Sequence, residues 1–108
     1  MPEKPLLESL RLELRRGSLV LAVLAALREE QYGYTLCRAL TEQGMPIEES
    51  TVYPLLRRLE SQGLLTSEWR EENRRRKRFY RLSEPGREVL ESLTEEWKSI
   101  NNSLERLL

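Results

Sequence analysis

Glu49-Ser50-Thr51-Val52-Tyr53-Pro54-Leu55-Leu56-Arg57-Arg58-Leu59-Glu60-Ser61-Gln62 places apolar residues at 52, 55, 56 and 59. That i, i+3, i+4, i+7 spacing predicts one buried stripe on a short helix. Glu48 or Ser50 is the expected cap, and Gly63 the expected stop. Pro54 removes one backbone hydrogen bond and predicts a slightly bent start. The opposite face carries Ser50, Thr51, Tyr53, Arg57 and Arg58. Hydroxyls and guanidinium groups on a helix of this width suit phosphates and base edges in a DNA major groove. A solvated polar face remains open as the plainer alternative.

The flanking sequence supplies the context. Upstream, Tyr32-Gly33-Tyr34 predicts a tight turn at Gly33. A helix from about Tyr34 to Gln43 follows, with Leu36, Cys37 and Leu40 inward and Gly44 as its C-terminal stop. Downstream, Leu64 to Arg70 and Lys77 to Leu82 mix aromatic, β-branched and alternating charged residues, which predicts two strands. Glu72-Asn73-Arg74-Arg75 is the expected hairpin tip, and Trp69 is expected to anchor the hairpin on the core. Two short helices followed by a two-stranded hairpin predict a winged helix-turn-helix.

Charge sharpens this reading. The chain has 18 basic and 18 acidic residues among 108, so its net charge is zero. From Leu65 to Leu82, however, seven basic residues stand against three acidic ones. The run Arg74-Arg75-Arg76-Lys77-Arg78 needs either free solvent or an anionic counter-surface. Its place just after the candidate recognition helix favours nucleic acid, with Arg74, Arg75, Arg76 and Lys77 as contacts.

Both ends suggest self-association. One helix is expected from about Pro5 to Glu29, with Gly17-Ser18 as a weak point where Ser18 would cap a second helix. Ser83-Glu84-Pro85 opens the last helix, and Leu93, Trp97, Ile100, Leu104 and Leu107 then recur at spacings of 4, 3, 4 and 3. That is a heptad seam. A helix of this length overhangs so small a core, so these residues, with Leu6, Leu7 and Leu10, are expected at a dimer interface. Packing back onto their own domain is the alternative. Trp97, Ile100 and Leu10 are also candidates for lining a pocket for a planar ligand.

Other functions are poorly served. The chain has no histidine and a single cysteine, Cys37, read as a small buried hydrophobe. No catalytic set, metal site or cofactor is expected, and the chain is not read as an enzyme. Met-Pro-Glu-Lys-Pro at the start lacks a signal pattern, and the longest apolar run, Leu19–Leu27, is too short for a bilayer. A cytoplasmic protein is expected.

Four stretches together resemble the PadR family of bacterial transcriptional regulators, in the family's order. They are Tyr32-Gly33-Tyr34-Thr35-Leu36, Thr51 to Glu60, Gly63-Leu64-Leu65, and Arg76 to Gly86. The likeness spans about Gly17 to Trp97, and the short C-terminal part is similar to members with a single C-terminal dimerisation helix. The resemblance implies a homodimeric repressor on a palindromic operator. It implies DNA contacts at Tyr34, Thr51, Tyr53, Arg57 and, on the wing, Lys77. It also implies a flat aromatic effector beside Trp97. Family wings usually carry glycine or proline before the basic residues, whereas Glu71-Glu72-Asn73-Arg74 stands here.

The expectation is therefore a mainly α chain with a small β hairpin, a winged helix-turn-helix with long N- and C-terminal dimerisation helices. Residues 1–82 would form the DNA-binding domain with the N-terminal dimerisation helix, and 83–108 the C-terminal one. Double-stranded DNA and a second copy are the expected partners, with a small planar hydrophobic effector as an addition. An alternative stays open: a winged-helix interaction module whose basic wing binds an acidic protein.

Overall fold

The elements form in the expected order. The computed structural model describes residues 3–108, so Met1 and Pro2 of the N-terminal stretch lie outside the described residues. The elements are α1 (Lys4–Ala26), α2 (Gly33–Glu42), α3 (Glu49–Ser61), β1 (Leu65–Glu72), β2 (Arg75–Leu82) and α4 (Glu84–Leu107). The fold is a winged helix-turn-helix with a long helix at each end of the chain, and those two helices pack against each other. Among the described residues, no helix is long and apolar enough to cross a membrane.

α1 differs from expectation in two respects. It passes unbroken through Gly17 and Ser18, so Ser18 caps nothing. It also stops at Ala26, short of Glu29, because the groups that would continue it are taken elsewhere. The Gln31 side-chain amide donates to the Ala26 carbonyl at 2.9 Å. Leu82 N–H donates to the Leu27 carbonyl at 2.9 Å, and Gln31 exchanges two backbone bonds with Tyr80 at 3.0 and 2.8 Å. The segment after α1 thus adds a short third rung beside β2.

α2 and α3 end alike. Gly44 and Gly63 adopt left-handed φ values of 85° and 80°. At each end, two backbone N–H groups return to the last turn: Gly44 to Thr41 and Met45 to Leu40, then Gly63 to Glu60 and Leu64 to Leu59. Those are Schellman closures, which stop both helices sharply. At the start of α3, Glu48 holds the cap position but makes no side-chain cap bond. The Ser50 hydroxyl turns to the Glu48 carboxylate instead, at 3.4 Å. Pro54 sits inside α3, and the helix continues through it.

The hairpin is longer than its aromatic content suggested. Leu65 pairs with Leu82, and the ladder continues out to Glu72 opposite Arg75. Only Asn73 and Arg74 lie between the strands, with φ values of 53° and 65°. Two consecutive left-handed residues define a type I′ turn, which matches strand twist and favours Asn then Gly. Asn73 fits; Arg74 bears the steric cost of that conformation. Replacing Arg74 with glycine is expected to raise stability by about 0.5–1 kcal/mol. Thermal denaturation checks it, and a lowered midpoint would show that the arginine contributes more than its backbone costs.

The core joins α1, α2, α3, the base of the hairpin and the start of α4. Val23, Leu24, Leu27, Leu36, Val52 and Leu56 are fully buried, with Leu59, Leu65, Tyr80 and Leu82 nearly so. Each such leucine contributes roughly 1.5–3 kcal/mol by leaving water. Leu55 and Cys37 pack on the rim, half-buried rather than buried. Burial, and then Glu49, push the Cys37 thiol above its ordinary pKa. The molecule measures 52 × 32 × 23 Å, because α1 and α4 project beyond this core.

Candidate nucleic-acid interface

α3 presents the face expected of it. Val52, Leu56 and Leu59 point into the core, leaving Ser50, Thr51, Tyr53, Arg57 and Arg58 exposed. Tyr34 is exposed in the first turn of α2. Gly33 does not make a positive-φ turn. It is the buried first residue of α2, and a Cβ there would lie 2.5 Å from the Tyr53 ring. The glycine therefore lets α3 lay Tyr53 across the start of α2. Burial, then Glu49, push the Tyr53 hydroxyl above its usual pKa.

α2, α3 and the wing enclose a concave surface of about 470 Å³. Tyr34, Tyr53, Arg57, Arg75, Arg76 and Lys77 meet there, as do Tyr32, Trp69 and Arg78. Ser50, Thr51, Arg58 and Arg74 do not line it. Ser50 and Thr51 sit at the α3 start, Arg58 on the flank and Arg74 at the wing tip.

The basic run is not five equivalent charges. Strand alternation puts Arg76 and Arg78 on one face of β2, and Arg75 and Lys77 on the other. Lys77 is already engaged. Its ammonium donates to the Tyr32 hydroxyl at 3.4 Å and to Glu72 at 3.3 Å, and lies 4.4 Å from the Tyr32 ring centre. The Tyr32 bond raises its pKa against partial desolvation. Arg78 pairs with Glu60 at 2.8 Å. Arg70 pairs with Glu30 at 2.8 Å and with Glu68. Among the described residues, Arg57, Arg58, Arg74, Arg75 and Arg76 make no ion pair, and their charge is open to an anionic partner.

Trp69 corrects an expectation. It is 54% exposed and does not anchor the wing. Its register opposite Arg78 turns it along the wing face, where the Arg76 and Arg78 guanidinium groups lie 5.1 and 5.7 Å from its ring. Phe79 takes the anchoring role, packed edge-on against Tyr32 at 5.3 Å. Reading the period of two outward from buried Leu82 and Tyr80 would have found Trp69 and Arg78; Tyr32 left no such signal.

A second surface lies between α1 and α4. The heptad residues Leu93, Trp97, Ile100, Leu104 and Leu107 are all exposed, as are Leu6 and Leu10; Leu7 is half-buried. A groove of about 390 Å³ runs beside Trp97 and Ile100. Leu10 does not reach it. Leu14, Gly17 and Leu21, one to three turns further along α1, form that wall instead.

Comparison with known proteins agrees with this architecture. The model of the transcriptional regulator PadR-like family matches residues 20–92. Transcriptional regulator Rv3488 of Mycobacterium tuberculosis is 38% identical over 79 residues, covering 72% of this chain and 74% of that protein. The crystal structure of a PadR family transcriptional regulator from Eggerthella lenta superposes with a TM-score of 0.88 at 45% identity. That match covers 95% of this chain and 92% of the other. Bacillus subtilis PadR in complex with operator DNA matches at a TM-score of 0.65 and 27% identity, over 70% of this chain and 46% of that one. The chain belongs to the PadR-like family of transcriptional regulators, a family of regulators and not of enzymes.

Proposed function

We propose that this regulator binds operator DNA as a homodimer and represses transcription. The observation that carries this reading is the shared concave surface. Tyr53 and Arg57 of α3 face the same space as Arg75 and Arg76 of the wing, and among the described residues those three arginines have no acidic partner. Unpaired guanidinium groups beside a groove-width helix suit a phosphate backbone and guanine edges. The Bacillus subtilis relative, solved in complex with operator DNA, supports DNA as the partner. Thr51 and Ser50 at the α3 start, Arg58 on its flank and Arg74 at the wing tip are the peripheral contacts, with Tyr34 beside the helix. The bond from Lys77 to Glu72 is exchanged for phosphate on binding.

In the proposed division of labour, residues 1–82 read DNA and 83–108 pair with a second copy, with the α1 leucines completing the interface. A two-fold dimer requires a palindrome with half-sites about 34 Å, one helical turn, apart. The groove beside Trp97 favours one addition, a planar hydrophobic effector held at the dimer seam. Such a regulator acts in the cytoplasm.

Gel-shift titration on the DNA upstream of its own gene, at several salt concentrations, tests the reading. With Arg57, Arg75, Arg76 and Lys77 of two protomers each meeting a phosphate, log K is expected to fall with log salt at a slope of about −7. Salt-independent binding, or none, would instead favour a wing that binds an acidic protein.

A further inference from the structure

Beyond Ser67, every residue of β1 is exposed. The outer wing therefore projects past the core: Phe79 seats its base against Tyr32, and beyond that point side-chain tethers set its pitch relative to α3. Besides Lys77 on Tyr32, two ion-paired tethers reach the body of the protein. On one face, Arg70 reaches Glu30 in the loop after α1 at 2.8 Å. On the other face, Arg78 reaches Glu60, one turn beyond Arg57 on α3. The second tether is closed into a ring. Arg78 Nη2 donates to Glu60 Oε1 at 2.8 Å, and Arg78 Nε donates to Ser67 Oγ at 2.9 Å. The Ser67 hydroxyl in turn donates to Glu60 Oε2 at 2.5 Å. All three groups are half-buried, and the charge-assisted bonds are short.

We propose that Glu60, Ser67 and Arg78 form a clasp that sets the angle between the recognition helix and the wing. In that role Arg78 is a positioning residue for DNA recognition and not a phosphate contact. The inference rests on the DNA-binding reading above. The clasp reaches further through Trp69. The Arg78 guanidinium lies against that ring, and the ring also carries Arg76, which among the described residues has no acidic partner. Fixing Arg78 therefore fixes the platform from which Arg76 approaches the duplex. Specific recognition needs both the helix and the wing in register at once, whereas loose electrostatic binding does not.

The sign of one substitution separates this role from simple electrostatics. Glu60→Gln removes a negative charge near the DNA surface, so charge alone predicts tighter binding. The clasp predicts the opposite. The experiment uses a duplex selected by the wild-type dimer from a random pool, compared with unselected duplex of the same length. Glu60→Gln is expected to weaken binding to the selected duplex about tenfold, since a charge-assisted bond is lost. Binding to unselected duplex, which also reports a folded protein, is expected to hold or tighten. Ser67→Ala should shift the ratio in the same direction. Arg78→Lys should fail to restore it, because an ammonium cannot reproduce the two-armed fork. Salt slopes should be unchanged throughout. Unchanged or tighter binding of Glu60→Gln to the selected duplex would overturn the clasp. So would a slope about two smaller in Arg78→Gln, one for each protomer, which would make Arg78 a phosphate contact. A wild-type protein that enriches no sequence overturns the DNA reading itself, and the clasp with it.

Discussion

Replacing Gly86 with alanine is expected to destabilise the chain by about 3 kcal/mol, although glycine to alanine within a helix ordinarily stabilises. Gly86 lies in the first turn of α4, where its N–H donates to the Ser83 hydroxyl at 3.0 Å. Ser83 is bound in turn to the end of α3. Its N–H donates to the Leu64 carbonyl at 3.1 Å and its hydroxyl to the Gly63 carbonyl at 2.6 Å. A methyl group on Gly86 would strike that same Leu64 carbonyl oxygen, with the Leu82 side chain 3.2 Å away. The obstacle is backbone already held by a hydrogen bond, so it cannot swing aside. Relief requires lifting α4 off the junction, which breaks the Ser83 bonds and uncovers Leu90. The denaturation midpoint, measured at fixed protein concentration, should fall by on the order of 10 °C. A midpoint that rises would show that α4 does not dock on the α3 stop as described.

Trp97→Ala is expected to weaken dimerisation by about 30-fold or more, since a large aromatic anchor at the centre of an interface carries 2 kcal/mol or above. Trp97 is 47% exposed in the single chain, in line with Leu93, Ile100 and Leu104. Those residues repeat along a helix of about 36 Å that extends well past the core. Nothing among the described residues covers them fully, so a second copy is the economical cover. Sedimentation equilibrium measures the shift. An unchanged association constant would move the dimer interface away from this seam. In a Trp69→Phe background, the Trp97 emission also reports on the groove; planar aromatic compounds that enter it should quench that emission.

Much of this structure was legible in the residues, for identifiable reasons. The α3 stripe at 52, 56 and 59 and the Gly44 and Gly63 stops are local signals, because each depends on a few neighbouring residues. Asn73 at the hairpin tip is another. What the sequence concealed depended on distant partners. The end of α1 at Ala26 is decided by β2, whose backbone takes the Leu27 carbonyl and pairs with Gln31. Gly33 looked like a turn residue, yet its role is to make space for a tyrosine twenty positions later. The sequence predicts Trp69 as an anchor of the hairpin. Its register places it past the core edge, among arginines. The basic run read as one patch, but β alternation and the Glu72 and Glu60 carboxylates divide it into engaged and free charges.

The most direct measurement of the central claim compares wild type and Arg57→Ala on the selected palindromic duplex across a salt series, with dimerisation measured alongside. Arg57 lies on the exposed face of α3, lines the shared concavity and has no acidic partner among the described residues. Loss of a guanidinium contact is expected to weaken operator binding by about 10- to 100-fold while leaving the dimer intact. Equal affinity of the two proteins for that duplex would contradict the assignment of α3 as the element that reads DNA.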